Sequence, residues 1–132
     1  MRTSAPIWIT HHHRDRVPFY QKPLADNPEL VLNADCLCPP ITDGAFFGEI
    51  LGMGQRQDAV EELYESLRRQ GVASGPYEWY IDLRRIPRYR VTSGFWLGIE
   101  RFISWILGLD SIYKAILFPR IKGRQLYDNC YS

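Results

Sequence analysis

The sequence predicts an α+β fold, a mostly antiparallel sheet flanked by helices. Three observations carry this. Short apolar, β-rich runs fill the first 54 residues. The apolar period then changes from strand-like to helix-like at residue 55. Near the end, a glycine-rich strand at 89–99 runs straight into a helical stretch at 100–109.

In chain order, PIWIT (6–10) reads as a short buried strand and VPFYQKP (17–23) as a second strand, closed by proline. LADNPE (24–29) is a turn, with Asp, Asn and Pro clustered. LVLNADCLC (30–38) is a third strand, PPITDG (39–44) a loop, and AFFGEILGMG (45–54) a fourth strand. Over residues 55–71, Val60, Leu63, Tyr64 and Leu67 fall at i, i+3, i+4 and i+7, one helical stripe. Asp58, Glu61 and Glu62 near its start and Arg68 and Arg69 near its end suit the helix dipole, and Gly71 is a natural stop. GPYEWYIDLRR (75–85) predicts a short helix with Pro76 in its first turn. YRVTSGFWLGI (89–99) is a fifth strand. The helix after it has Phe102, Ile103, Ile106 and Leu107 as its expected buried stripe. The tail is a turn followed by an irregular basic segment. No repeat or second domain is visible, so residues 1–132 read as one domain.

Composition narrows the function. The chain is 45% hydrophobic, enough for a core, and 16 Lys+Arg against 15 Asp+Glu give a net charge of +1. That is no polyelectrolyte signature, although basic residues crowd at 84–90 and 114–124. No apolar run reaches the roughly 20 residues of a membrane span and no secretory leader is visible, so no membrane contact and a cytoplasmic location are expected. Cys36 and Cys38 share one strand face, but a zinc site needs further ligands, and buried thiols are the simpler reading. His11, His12 and His13 cannot all face one ion from a strand and belong to a solvated loop.

The chemistry concentrates in a few side chains. Asp35 and Glu49 are acids on neighbouring apolar strands, where carboxylates need a partner or a cation. Two such acids can share Mg²⁺, which needs one or two carboxylates plus phosphate oxygens. Arg56 stands where strand gives way to helix, and Arg101 opens the last helix. A guanidinium at either place can clamp a carboxylate or phosphate. Each also has a bland reading: Asp35 in a turn, Glu49 with Arg56 as a structural ion pair, and Arg101 after Glu100 as an exposed helix start.

Four blocks occur in order: NADCLCP, GEILGMGQR, YEWYIDLR and GFWLGIERFISWILGLDSIYKAILFPR. Together, from about Ile7 to Arg124, they resemble the C-terminal part of the catalytic core of class II aminoacyl-tRNA synthetases. The aspartyl/asparaginyl/lysyl subgroup fits best, and the asparaginyl branch best within it. The resemblance implies an antiparallel sheet flanked by helices, and activation of an amino-acid carboxylate by ATP before transfer to tRNA. It implies that Glu49 binds Mg²⁺ and ATP with help from Asp35, and that Arg56 faces the amino acid. Arg101 then holds the γ-phosphate, and Gly98, Ile99, Glu100 and Arg101 line the nucleotide.

The departures are as informative. The family's N-terminal barrel, its motif 1 and its motif 2 are not seen, which weighs against tRNA as a partner. Trp96 stands where the family has a glycine, Met53 where a small residue is usual, and Thr92 where a histidine is common. The link from Asp35 to Glu49 is longer than usual. An indole at 96 buries roughly 150–250 Å² and plugs the substrate floor. Two readings follow. In one, a truncated relative keeps an ATP/Mg²⁺ half-site without charging tRNA on its own. In the other, an adenylate-forming ligase, acting on tRNA or a small molecule, is completed by a homodimer or a partner chain. An uncovered sheet edge favours association in both.

Overall fold

A computed structural model describes residues 4–123. Four strands form one antiparallel sheet in the order β1 (Ile7–Thr10), β2 (Asn33–Cys38), β3 (Gly48–Gln55) and β4 (Ser93–Leu97). Three helices accompany it: α1 (Val60–Arg69), α2 (Glu78–Asp82) and α3 (Ile99–Ile106). The expected α+β class and antiparallel sheet hold. The basic tail beyond residue 123, with Cys130, lies outside the described residues.

The chain divides into two compact units. One comprises residues 8–36 and 51–96 and contains α1 and α2. The other gathers, among the described residues, 4–7, 37–50 and 97–123 and contains α3.

In the first unit, α1 forms as its period demands. Leu63 and Leu67 are completely buried with Ile81 of α2, and Phe19, Tyr20, Val60, Tyr64, Tyr77 and Tyr80 pack around them. Ala59 at the N-cap has no capping side chain, but the buried Gln57 lends its Oε1 to the amides of Asp58 and Ala59. Gly71 takes φ +65° and Val72 N–H returns to Leu67 O, ending the helix as expected. Arg14 is buried at 7% exposure and bonds Glu62 (2.6 Å) and Ser66 Oγ (2.8 Å), tying the loop after β1 to α1.

Several expectations need correction. Strand β1 is exposed along its length rather than buried. Residues 17–23 are not a strand. They pair with Arg56, just past β3, and with Val31, before β2, through the isolated bridges Gln21 with Arg56 and Pro23 with Val31 rather than through a ladder. Pro18 and Pro23 lack the N–H a ladder needs. Residues 75–85 are a five-residue α-helix between 3₁₀ turns at Gly75–Tyr77 and Leu83–Arg85. The strands start later than expected: β2 at Asn33, β3 at Gly48 and β4 at Ser93.

The stripe of α3 is not buried. Phe102 is 37%, Ile106 47% and Leu107 64% exposed, and the fully buried residue of this helix is Ser104. Its amphipathic pattern is present, but the described residues leave Ile106 and Leu107 on that face largely exposed. Helix α3 is held instead by Trp105, whose Nε1 donates to Pro39 O at 2.7 Å.

Candidate functional site

Strands β3 and β4 pair in a fixed register. Gly98 N–H donates to Ile50 O (3.0 Å) and Arg56 N–H to Thr92 O (2.8 Å), so Gly52 stands opposite Trp96 and Gly54 opposite Gly94. Alternation then puts Gly52, Gly54, Arg56, Gly94 and Trp96 on one face.

In the first unit this glycine face is covered by the chain's own side chains. The Trp96 indole lies on Gly52, where a Cβ would stand 2.8 Å from the ring. It is 51% exposed, so it caps the sheet rather than entering the core. The Arg56 guanidinium lies over Gly94, 2.8 Å from a Cβ position, bonds Gly54 O (3.1 Å) and sits 5.0 Å from the centre of the Tyr20 ring. Arg56 therefore forms no ion pair with Glu49 among the described residues, and the structural-pair reading of those two fails. Gly54 is covered by the carboxamide of Gln21. Asp35, on β2, lies 3.5 Å from His12 Nδ1.

In the second unit, Glu49 and Arg101 come together. Gly48 at φ +133° turns the chain into β3 ahead of Glu49, a conformation that favours glycine. The Arg101 stem packs on Gly98, and its Nη1 donates to Glu49 O (2.8 Å) and stands 3.7 Å from Glu49 Oε2. Ile99 (62% exposed) and Glu100 form the exposed first turn of α3. A cavity of about 450 Å³ is lined by Phe46, Phe47, Glu49, Arg101, Asp110 and Ser111, among others. A larger hollow of about 1020 Å³, under the 37–48 loop, is lined by neither Glu49 nor Arg101.

Two members of the sites escaped the sequence reading. Asp110 shares the Glu49–Arg101 cavity, and the Lys114 ammonium, 2.8 Å away, holds its carboxyl below the ordinary range. Gln21 lies within an aromatic segment, where an amide gives no chemical signal. Elsewhere, His13, Asp15 and Glu29 converge at the surface. Arg69 already bonds both carboxylates there (2.8–3.2 Å) and holds each below its ordinary value.

An antiparallel sheet with helices, its last strand running directly into an arginine-bearing helix, places the chain in the α+β class. Residues 1–122 match the family described as tRNA synthetases class II (D, K and N), and the chain belongs to that family. It is 43% identical over 122 residues to an asparagine–tRNA ligase of Pelotomaculum thermopropionicum, covering 90% of this chain and 26% of that protein. The corresponding ligase of Thermococcus gammatolerans is 38% identical, with 92% and 27% covered. Among solved structures, asparaginyl-tRNA synthetase from Pyrococcus horikoshii superposes with a TM-score of 0.80 at 38% identity, covering 90% of this chain and 27% of that one. The Entamoeba histolytica enzyme in complex with asparaginyl-adenylate gives 0.78 at 31%, with 92% and 26% covered. The chain thus spans about a quarter of the length of the relatives it matches.

Proposed function

We propose that residues 1–132 are one piece of an asparaginyl-tRNA synthetase-like catalytic core and carry an ATP- and Mg²⁺-dependent half-site for amino-acid activation, without charging tRNA unaided. The observation that carries this reading is the Glu49–Arg101 pair at one cavity, with Gly98 beneath the arginine stem. The Arg101 guanidinium suits a terminal phosphate, and Gly98, Ile99 and Glu100 would flank the nucleotide beside it.

The donor set fits a phosphate-borne Mg²⁺. Glu49 is partly exposed and keeps carboxylate lone pairs beyond its contact with Arg101, and this ion needs few protein ligands when phosphates supply the rest. Magnesium would neutralise phosphate charge during attack by the amino-acid carboxylate. Asp35 assists in this reading, Asp110 is a further acid at the Glu49 cavity, and Arg56 serves the amino-acid side.

Trp96 is a plug over the Gly52 floor. A second reading, a ligase completed by a second copy or a partner chain, draws on β4. It ends the sheet without proline or charge, with Phe95 71% and Leu97 41% exposed. No helix among the described residues is long and apolar enough to cross a membrane, and a cytoplasmic location belongs to the proposal.

The test is asparagine-dependent exchange of pyrophosphate into ATP by the purified chain. The first reading expects no exchange. Exchange by the chain alone, lost in Arg101→Ala and rising with protein concentration faster than linearly, contradicts it and supports the self-completed ligase.

A further inference from the structure

Phe47 is a large apolar side chain in the wall of a charged cavity. It lines the same hollow of about 450 Å³ as Glu49 and Arg101, and it is 70% exposed. Among the described residues no other ring stacks on it. A single exposed phenylalanine needs no explanation by itself. Two further observations give this one a role. First, its backbone is held on both sides. Ala45 is buried and its N–H returns to Thr42 O, Phe46 N–H donates to Leu109 O, and Gly48 at φ +133° turns the chain into β3. The ring is presented from a fixed backbone, so less order has to be gained when a ligand lands on it.

Second, the cavity has two kinds of wall. Arg101 Nη1 stands 3.7 Å from Glu49 Oε2, a grip for phosphate and its cation. The Phe47 ring adds a flat apolar face to the same hollow. A bare phosphate has no use for such a face, whereas every nucleic-acid base carries a π-face that stacks on one. The larger hollow under the 37–48 loop also touches Phe47, but it holds neither Glu49 nor Arg101 and so no such grip. We propose that Phe47 is a specificity-determining residue of the smaller cavity: its ring stacks on the base of a nucleoside triphosphate whose phosphates Arg101 holds. The site then takes a nucleotide in preference to a bare polyphosphate. This rests on the phosphate half-site of the reading above and adds the group that recognises the other end of the ligand.

The test is calorimetric titration of Mg²⁺·ATP and of Mg²⁺·tripolyphosphate into the full chain, as wild type, Phe47→Ala, Phe47→Leu and Phe47→Trp, each also in the Trp96→Gly background. Phe47→Ala should weaken ATP about tenfold, the usual worth of one stacked base. It should leave tripolyphosphate within about twofold of wild type. Phe47→Trp keeps a π-face and should hold ATP at least as tightly as wild type. Phe47→Leu is apolar without a π-face and should fall with Phe47→Ala. An equal loss of both ligands in Phe47→Ala means that the ring only shapes the phosphate grip, and it overturns the proposal. ATP affinity unchanged in Phe47→Ala or in Phe47→Leu overturns the role of Phe47 but leaves the half-site standing. No binding of either ligand, in wild type or in Trp96→Gly, overturns both. A urea midpoint adds an independent readout. With its ring exposed, Phe47→Ala should keep the wild-type midpoint, and a clear drop would mean that the ring is packed against the protein rather than open to a ligand.

Discussion

Helices α1 and α3 carry the same kind of apolar stripe and meet opposite fates. On α1, Leu63 and Leu67 are 0% and 1% exposed, enclosed by aromatic residues and by Ile81. On α3, Ile106 and Leu107 are 47% and 64% exposed. A periodic stripe states that a face wants cover and is silent on whether the described chain supplies it. The contrast extends to the strands. Every glycine contact at β3 and β4 is made by a chain-borne side chain, while Phe95 and Leu97 of β4 stay exposed.

Truncation separates the two helices most sharply. Leu63→Ala should cost about 2–5 kcal/mol in urea unfolding, the usual toll of a core cavity. Leu107→Ala should stay within about 0.5 kcal/mol. Equal losses would show that the face of α3 is covered in solution, and light scattering would then reveal the association.

Next in size is Arg14→Ala. It removes a buried guanidinium from Glu62 and Ser66, and about 2–3 kcal/mol should be lost, since a hydrogen bond to a charged group is worth about 1.5–3 kcal/mol. Glu62 is 36% exposed and can rehydrate, which keeps the loss below that of breaking a fully buried pair.

The smallest effect belongs to the exposed Arg69 cluster. Asp15 and Glu29 have their carboxyl pKa values lowered by hydrogen bonds from Arg69. Their contribution is therefore present above the ordinary carboxylate range and is lost as pH falls below about 4. In denaturation midpoints measured from pH 6 to pH 3, wild type should lose slightly more than Arg69→Ala. Parallel curves would show the cluster to be energetically silent.

These contrasts also mark what the sequence reveals. The period of α1 and its Gly71 stop are local signals, and the structure follows them. The sequence marks Glu49 and Arg101 as separate candidates and pairs Glu49 with Asp35 or Arg56, whereas Glu49 stands beside Arg101, a contact between a strand start and a helix start far apart in sequence. Residues 17–23 misled because their aromatics favour strands while their prolines forbid a ladder. They pack as a lid on the Leu63 core instead. Gln21 was invisible for a different reason: its significance lies in Gly54 and Arg56, more than thirty residues away in sequence, and a bridge between them is a tertiary fact. The glycine-to-tryptophan departure at 96 was visible, but which floor residue the indole would cover was set by the β3–β4 register.

The central claim is the proposed phosphate-binding role of Glu49 and Arg101, limited by Trp96 over the Gly52 floor. Calorimetric titration of Mg²⁺·ATP into wild type and Trp96→Gly tests it most directly. The account predicts weak binding by wild type, a gain of about tenfold or more in Trp96→Gly, and loss of that gain when Arg101→Ala is added. Tight binding by wild type, or no gain in Trp96→Gly while its fold is retained, would contradict it.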